Sequence, residues 1–265
     1  MKENVNETLL EIKNLSVDLV APQGRKTLLN RVDLTVKEKQ IVALVGLSGS
    51  GKTTLGISIL RLLPPVFQVT NGEIKFQGRD ILPLLGEQMR RLRGKEIGMV
   101  FQEPLSALNP VFSVGFQIDE VLKYHTSLST QKRQEKILHL LDLVGIKDSR
   151  RVARQYPHQL SGGMRQRVMI AQAIATDCRL IIADEPTSNL DVTVQARILE
   201  LFGKLKEDLG ISVLLITHDL GVVRELADEA AVLFEGRIVE SGNVKDVLEN
   251  PQHPFVRELV SSIGS

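Results

Sequence analysis

The order of the apolar segments predicts an α/β fold with a mainly parallel sheet. Three short runs are apolar nearly throughout, as expected of strands buried on both faces: IVALV (41–45), LIIA (180–183) and SVLLIT (212–217). A helical pattern follows each of the first two runs, and strands that alternate with helices favour parallel pairing. Two regions depart from this alternation, an N-terminal β region and an inserted helical block.

The N-terminal β region consists of two segments, LLEIKNLSVDLV and TLLNRVDLTVKEKQ, in which apolar and polar residues alternate. A period of two is typical of strands with one buried face. The apolar positions are Ile12, Leu15, Val17 and Leu19 in the first segment and Val32, Leu34 and Val36 in the second. The turn-rich APQGRK lies between them, so we expect an antiparallel pair. NGEIKFQG and EIGMVFQ predict two further short strands.

The inserted block covers residues 104–175 and carries no strand-like run. Three helical patterns follow one another there: VGFQIDEVLKYH, TQKRQEKILHLLDLVG and SGGMRQRVMIAQAIA. We therefore expect one domain over residues 1–265, with a core formed by 1–103 and 176–265. Residues 104–175 would form a helical subdomain within it.

The remaining segments predict helices and one hairpin. TTLGISILRLL should form a helix that Pro64 and Pro65 stop. EAAVLF and RIVES, separated by EG, resemble a β-hairpin, and NPQHPFVRELVSSI predicts a short C-terminal helix or tail. A helix after residue 190 should bury one apolar face, with Ile198, Phe202, Leu205 and Leu209.

Composition excludes several classes of protein. The 265 residues are 43% hydrophobic and 25% charged with a net charge of +1, which gives no support to a polyanionic partner. The single Cys178 excludes an intrachain disulfide and is expected to be a small buried hydrophobe. No run approaches the roughly 20 apolar residues of a membrane span. The N-terminus lacks the apolar core of a signal peptide, so we expect a cytoplasmic chain that acts on membranes only through a partner.

GLSGSGKT, residues 46–53, matches G-x-x-x-x-G-K-[ST] at every fixed position and lies between a buried strand and a helix. In such a loop the backbone N–H groups turn toward the β- and γ-phosphates, Lys52 reaches the same oxygens and Thr53 offers its hydroxyl to Mg²⁺. The sequence therefore predicts a P-loop NTPase core. The predicted nucleotide-binding residues are Gly46, Leu47, Ser48, Gly49, Ser50, Gly51, Lys52, Thr53 and Thr54.

Polar side chains follow the buried strands where ligands of open α/β sheets bind. Asp184 ends one strand and can hold Mg²⁺, through water, and Glu185 can act as general base on the attacking water. His218 follows SVLLIT, where we expect it to contact the γ-phosphate. Gln102 follows another predicted strand, but the spacing alone does not distinguish a functional role from an exposed loop glutamine.

LSGGM, residues 160–164, raises the question of a second anion site. A Ser-Gly-Gly entry into a helix presents backbone N–H groups to an anion, and the helix dipole favours negative charge there. The P-loop, however, already supplies one phosphate site in this chain.

The chain resembles ABC-transporter nucleotide-binding subunits over nearly its whole length. The motifs that carry the resemblance are, in order, the P-loop, Gln102, LSGGM, Asp184–Glu185, SNLD (188–191) and His218. The resemblance implies two ATPase subunits that face each other head to tail, with ATP between the P-loop of one and the signature of the other. It implies that Leu160, Ser161, Gly162, Gly163 and Met164 serve the partner's nucleotide. Ser188 and Asp191 would lie along the dimer seam, and Gln102 would join Thr53 and Asp184 at Mg²⁺.

Within that family, the chain resembles the dipeptide, oligopeptide and nickel importers in three segments: FQEPLSALNPVFSVG, LSGGMRQRVMIA and NPQHPFVREL. The signature in the second segment is like that of the "D" ATPase subunit of those importers. This resemblance implies an ATPase that energises uptake of peptides or a nickel chelate from the cytoplasmic face of the membrane. Its partners would be a second ABC ATPase, more often a different chain than a copy, two transmembrane permeases and an extracytoplasmic solute-binding protein.

Two other functions are compatible with a nucleotide-binding domain: a soluble ABC ATPase acting on nucleic acid or the ribosome, and a regulator without hydrolysis. Three features disfavour the first function. The net charge is near neutral, the chain has a single cassette where translation-factor relatives carry two, and Ser161 follows Gln102 by only 59 positions, too few for the long coiled coil of DNA-repair relatives. The presence of both Glu185 and His218 disfavours the second.

The sequence departs from the family pattern in the region expected to contact the adenine of ATP. Relatives place an aromatic residue near the N-terminal turn, whereas none lies between Val17 and Leu34 here, which leaves Leu19 or Val20 to pack the adenine. We expect weak base selectivity.

Overall fold

The computed structural model describes residues 7–22 and 24–262. It divides into two compact units, the first made of the chain up to Met89 and from Lys206 onward, and the second of Arg90–Leu205. The predicted division at 103/104 and 175/176 remains a prediction about subdomains. None of the helices in the described ranges is long and apolar enough to cross a membrane.

The first unit begins with the predicted antiparallel region. Strands β1 (Thr8–Ala21) and β2 (Gly24–Lys37) pair antiparallel, and β4 (Phe67–Phe76) and β5 (Arg79–Asp80) complete a four-stranded sheet in the order β2-β1-β4-β5. Three of the four predicted apolar positions of β1, Ile12, Leu15 and Val17, are at most 1% exposed, whereas Leu19 is half-buried.

The same unit holds the first parallel strands. Strand β3 (Ile41–Val45) lies between β8 (Ser212–Thr217) and β9 (Glu229–Phe234) and is parallel to both. All five residues of β3 are buried, which explains why the run is apolar at every position. Strand β10 (Arg237–Asn243) pairs antiparallel with β9 and confirms the predicted hairpin.

Helices cover these strands. α1 (Lys52–Ile59) follows the P-loop, and α9 (Leu220–Leu226), α10 (Val244–Glu249) and α11 (Pro254–Ser261) contribute to a core that includes Ala43, Val45 and Val232. The prediction that α1 runs to the prolines is wrong. Arg61 adopts φ 51° and the Leu62 amide bonds the Ile57 carbonyl at 2.9 Å, a left-handed C-terminal cap that ends the helix before Pro64.

The second unit contains the parallel strands β6 (Ile97–Val100) and β7 (Leu180–Asp184) and most of the helices. Residues 104–175 form no strand, as predicted. They fold into α3 (Pro104–Ala107), α4 (Val114–His125), α5 (Thr130–Leu143), α6 (Ser149–Val152), a 3₁₀ turn (Pro157–Gln159) and α7 (Gly162–Ala173). Cys178 is 2% exposed, and burial raises the pKa of its thiol to about 12, so it is the buried hydrophobe expected.

Two further helices complete the chain, α2 (Gly86–Leu92) and α8 (Val192–Leu209). The buried face of α8 includes Ile198, Phe202 and Leu205, as predicted. Leu209, predicted on the same face, is instead 50% exposed, because the helix ends there and Gly210 follows in a left-handed conformation.

Candidate functional site

The P-loop, residues 46–53, joins β3 to α1 in the first unit. Gly51 is the N-cap of α1 with φ 108°, and a Cβ there would lie 2.9 Å from Leu29 Cδ2, so both backbone and packing require glycine. The first turn follows directly, with the Leu55 amide bonded to the Gly51 carbonyl at 2.9 Å. The loop therefore leads from a buried strand into a helix N-terminus, the arrangement that binds phosphate.

Lys52 is only 5% exposed, although lysine is seldom buried. Its ammonium donates to the carbonyl oxygens of Gly46 at 2.7 Å and Leu47 at 2.9 Å. These bonds hold a positive charge beside the amides of the loop. Thr53 is exposed in the first turn of α1, and Thr54 is half-buried behind it.

His218 follows β8, the strand next to the one that leads into the P-loop. β3 and β8 are parallel neighbours, and Val45 is paired with Thr217, so Gly46 and His218 are the next residues of adjacent strands. His218 is exposed, and the Thr217 hydroxyl accepts from the Asp219 amide at 3.0 Å, which begins α9. The first unit thus brings together the P-loop and the predicted γ-phosphate contact.

The second unit contains Gln102 and Asp184, two of the three predicted metal residues, together with the predicted base Glu185, whereas Thr53 belongs to the first unit. β6 and β7 are parallel with Val100 paired to Ala183, so Gln102 and Glu185 each follow a strand at the same edge. The Gln102 amide donates to the Glu185 carboxylate at 3.0 Å. Asp184, at the end of β7, is 4% exposed.

Glu185 has a backbone φ of 44°, an uncommon conformation for a residue other than glycine. The turn that follows, residues 185–191, is named the seam loop here. In it the Glu185 carbonyl accepts from the Ser188 amide at 3.3 Å and the Ser188 hydroxyl at 3.1 Å, and Asp191 Oδ1 accepts from the Val194 amide at 3.0 Å at the start of α8.

The signature begins α7. Ser161 is its N-cap, with Oγ accepting from the Met164 amide at 3.3 Å, and Leu160 is buried just before it. Ser161 and Gly162 are exposed, so the helix N-terminus is open to solvent within the described unit. A Cβ at Gly163 would lie 2.6 Å from Val194 Cγ1, whereas one at Gly162 would approach Leu190 only to 3.8 Å.

Two features were not found from the sequence. Phe67 is paired with Leu19 across β1 and β4, so an aromatic residue does lie beside the N-terminal strand; only strand pairing brings it there from 48 positions away. Asn189, in the seam loop, donates to the Glu103 carboxylate at 3.1 Å. No spacing rule connects those two positions.

The family profile described as ABC transporter matches residues 29–188. A putative peptide import ATP-binding protein of Brucella ovis is 47% identical over 263 residues, which cover 97% of this chain and 78% of that protein. The oligopeptide transport ATP-binding protein OppD of Bacillus subtilis is 44% identical over 256 residues, 96% of this chain and 72% of that one. The peptidoglycan transport ATP-binding protein YejF of Agrobacterium fabrum is 45% identical over 99% of this chain, which spans 48% of it.

Solved structures agree with the fold. A bacterial ABC transporter cassette, solved as a dimer, has a TM-score of 0.80 at 29% identity and covers 89% of this chain and 99% of its own. CbiO1 from Clostridium perfringens, part of an ABC transporter complex, has a TM-score of 0.78 at 25% identity over 97% of this chain and 98% of its own. These findings confirm the predicted fold class and the predicted family. The chain belongs to the ABC transporter family, as an ATP-binding subunit whose enzymatic activity is ATP hydrolysis.

Proposed function

We propose that this chain is the ATP-hydrolysing subunit of an importer for peptides, peripheral to the membrane at its cytoplasmic face. The observation that carries the proposal is identity of 44–47% along nearly the whole chain to proteins named for peptide import. Nickel or a metal chelate, which the sequence left open, is the second cargo class within the same group. The relatives do not favour the nucleic-acid alternative.

ATP and Mg²⁺ fit the residues present. The described residues contain no group of three or more His, Cys, Asp or Glu side chains that could hold a metal by themselves. Mg²⁺ usually keeps several waters and binds through one or two carboxylates together with substrate phosphates. The family resemblance implies that Thr53, Asp184 and Gln102 would hold the ion, with the nucleotide supplying the phosphate oxygens.

In the proposed mechanism Lys52 and the P-loop amides bind the β- and γ-phosphates. Glu185 accepts a proton from the attacking water, and His218 contacts the γ-phosphate. The family resemblance implies that these residues act on one nucleotide and that Ser161–Gly163 of a facing subunit complete its site. Loss of the γ-phosphate would then remove the contact that holds the facing signature, and a ligand with such different affinity for two states can drive a conformational change.

The partner subunits are proposed on two grounds. A related cassette was solved as a dimer in a post-hydrolysis state bound to ADP and Pi, so we propose a second ABC ATPase as partner. The resemblance to the peptide and nickel importers favours a different chain over a second copy of this one. The second unit also exposes four large apolar side chains that follow Gln102 in the sequence, named the apolar patch here: Leu105, Val111, Phe112 and Phe116, which are 42–69% exposed, with the rings of Phe112 and Phe116 stacked. Phe116 lines a cleft of about 610 Å³ between α4, α5 and α6.

Exposed apolar patches on soluble domains mark interaction surfaces. We propose that the apolar patch and its cleft receive a cytoplasmic segment of one of the two membrane permeases, which pass on solute from an extracytoplasmic binding protein.

The test is the variant Glu185→Gln, which keeps the hydrogen-bonding shape of the side chain and removes the base. We expect ATP hydrolysis to fall about 10²- to 10⁴-fold while ATP binding is kept. In cells, uptake of a radiolabelled oligopeptide should fail in parallel, and the ATP-bound variant should co-purify with a second ATPase and permeases.

The exposed Lys204, paired with Glu200 on α8, provides a control, since Lys204→Ala should change neither activity. Hydrolysis by Glu185→Gln at the wild-type rate would show that another residue is the base. Loss of nickel uptake with normal peptide uptake would move the proposal to the second cargo class.

A further inference from the structure

Two hydrogen bonds join the same two segments of the second unit. One runs from the Gln102 amide to the Glu185 carboxylate at 3.0 Å, and the other from the Asn189 amide to the Glu103 carboxylate at 3.1 Å. The proposed mechanism uses Gln102 and Glu185 but gives no task to Asn189 or Glu103. Because Gln102 and Glu103 are consecutive, the second bond restrains the segment that presents Gln102 to the base.

Glu103 also begins the segment that carries the apolar patch. Its carbonyl accepts from the amides of Ser106 and Ala107, both at 3.1 Å, and so forms the first turn of α3. Leu105 of the apolar patch lies in that turn. A displacement of α3 would therefore act on the Glu103 side chain directly.

The seam loop transmits such a displacement because it is internally bonded. Ser188 is held to the Glu185 carbonyl, and the Leu190 amide bonds the Thr187 carbonyl at 3.2 Å. Asn189 lies between these bonds, and Glu185 begins the loop with the strained φ of 44°. These bonds connect Asn189 to the backbone of Glu185, so a displacement of Asn189 would act on the base.

We infer that Asn189 and Glu103 are positioning residues that set the general base against Gln102 and link that setting to the apolar patch. This inference rests on the proposed function. Both side chains are exposed, so their bond is individually weak and a modest movement of α3 suffices to break it.

The test reverses the polarity of the hydrogen bond. Glu103→Gln keeps a carbonyl acceptor for the Asn189 amide and should leave kcat within about twofold of wild type. Asn189→Asp sets two carboxylates face to face, and kcat should fall about tenfold with KM for ATP unchanged, because the P-loop is untouched. In the double variant the new amide donates to the new carboxylate, so kcat should recover to within about threefold.

A second readout does not depend on activity. Hydrogen exchange at the Ser106 and Ala107 amides should rise roughly fivefold in Asn189→Asp and return in the double variant, the factor expected for the loss of one hydrogen bond. Lys204→Ala is the matched control for an exposed side-chain contact in the same unit.

Different results would overturn the proposed function and the positioning role of Asn189 and Glu103. A wild-type chain that, assembled with its partner ATPase and permeases, hydrolyses no ATP would overturn the proposed function. An active wild type whose double variant stays as slow as Asn189→Asp, with no change in exchange at α3, would overturn only the positioning role.

Discussion

The N-termini of α1 and α7 both suit an anion, but they are built differently. α1 begins at a glycine after a fully buried strand, and its first residue is a buried lysine held by two loop carbonyls. α7 begins at an exposed serine whose hydroxyl caps its own helix, and its first three residues, Gly162, Gly163 and Met164, carry no charge.

The difference lies in binding strength. A charge-assisted hydrogen bond contributes about 1.5–3 kcal/mol, whereas a helix terminus contributes about 0.3–1 kcal/mol to a nearby anion. The N-terminus of α1 can therefore bind a nucleotide by itself, and that of α7 adds to a phosphate that something else already holds. Two anion sites in one chain make sense if the second completes a pocket on another molecule.

The largest expected effect that separates the two termini is on hydrolysis. Ser161→Arg fills the open end of α7, so we expect hydrolysis to fall about 10²- to 10³-fold, the loss found when a transition-state donor is removed. ATP binding to the isolated chain should stay within about twofold. A strictly monomeric Ser161→Arg chain with full activity would show that α7 serves no neighbouring nucleotide.

The next effect is on binding. Lys52→Met removes the charged donor at α1, and ATP affinity measured by calorimetry should fall roughly 10- to 10²-fold. Together with Ser161→Arg this variant sharpens the comparison, because one change should act on binding and the other on turnover. Equal effects of both variants on affinity would contradict it.

A smaller effect concerns the packing of α7 itself. Gly163→Ala would place its Cβ 2.6 Å from Val194 Cγ1, so we expect a loss of about 1–3 kcal/mol in the free energy of unfolding. Gly162→Ala meets nothing closer than 3.8 Å and should melt at the wild-type temperature. Scanning calorimetry compares the two, and equal melting temperatures would mean that Val194 moves aside.

The smallest expected effect is on selectivity for the adenine base of the nucleotide, not on phosphate binding. Since Leu19 and Val20 offer no ring in the N-terminal strand, GTP should compete with ATP, with dissociation constants within about tenfold of each other. Val20 is 38% exposed, and Val20→Tyr should tighten ATP binding about tenfold by stacking. A strong preference of the unaltered chain for ATP in a competition assay would point to another contact, with Phe67 beside Leu19 as the first residue to replace.

Much of the fold follows from local patterns. Continuous apolar runs identified β3, β7 and β8 because both faces of those strands are buried, and alternation identified β1 and β2 because one face is. The sequence pattern places the end of α1 too late, because the left-handed cap at Arg61 has no sequence signature of its own. The exposure of Leu209 was missed because periodicity does not show where neighbouring elements end.

The sequence by itself determined the family. It also predicts the phosphate-binding residues, because backbone amides at a glycine-rich turn and a lysine at fixed spacing need only local geometry. Tertiary structure alone decided which distant residues touch. The bonds Gln102–Glu185 and Asn189–Glu103 join segments more than 80 positions apart, and Phe67 meets Leu19 only through strand pairing. Such contacts depend on strand register and loop conformation, which packing of the whole unit sets.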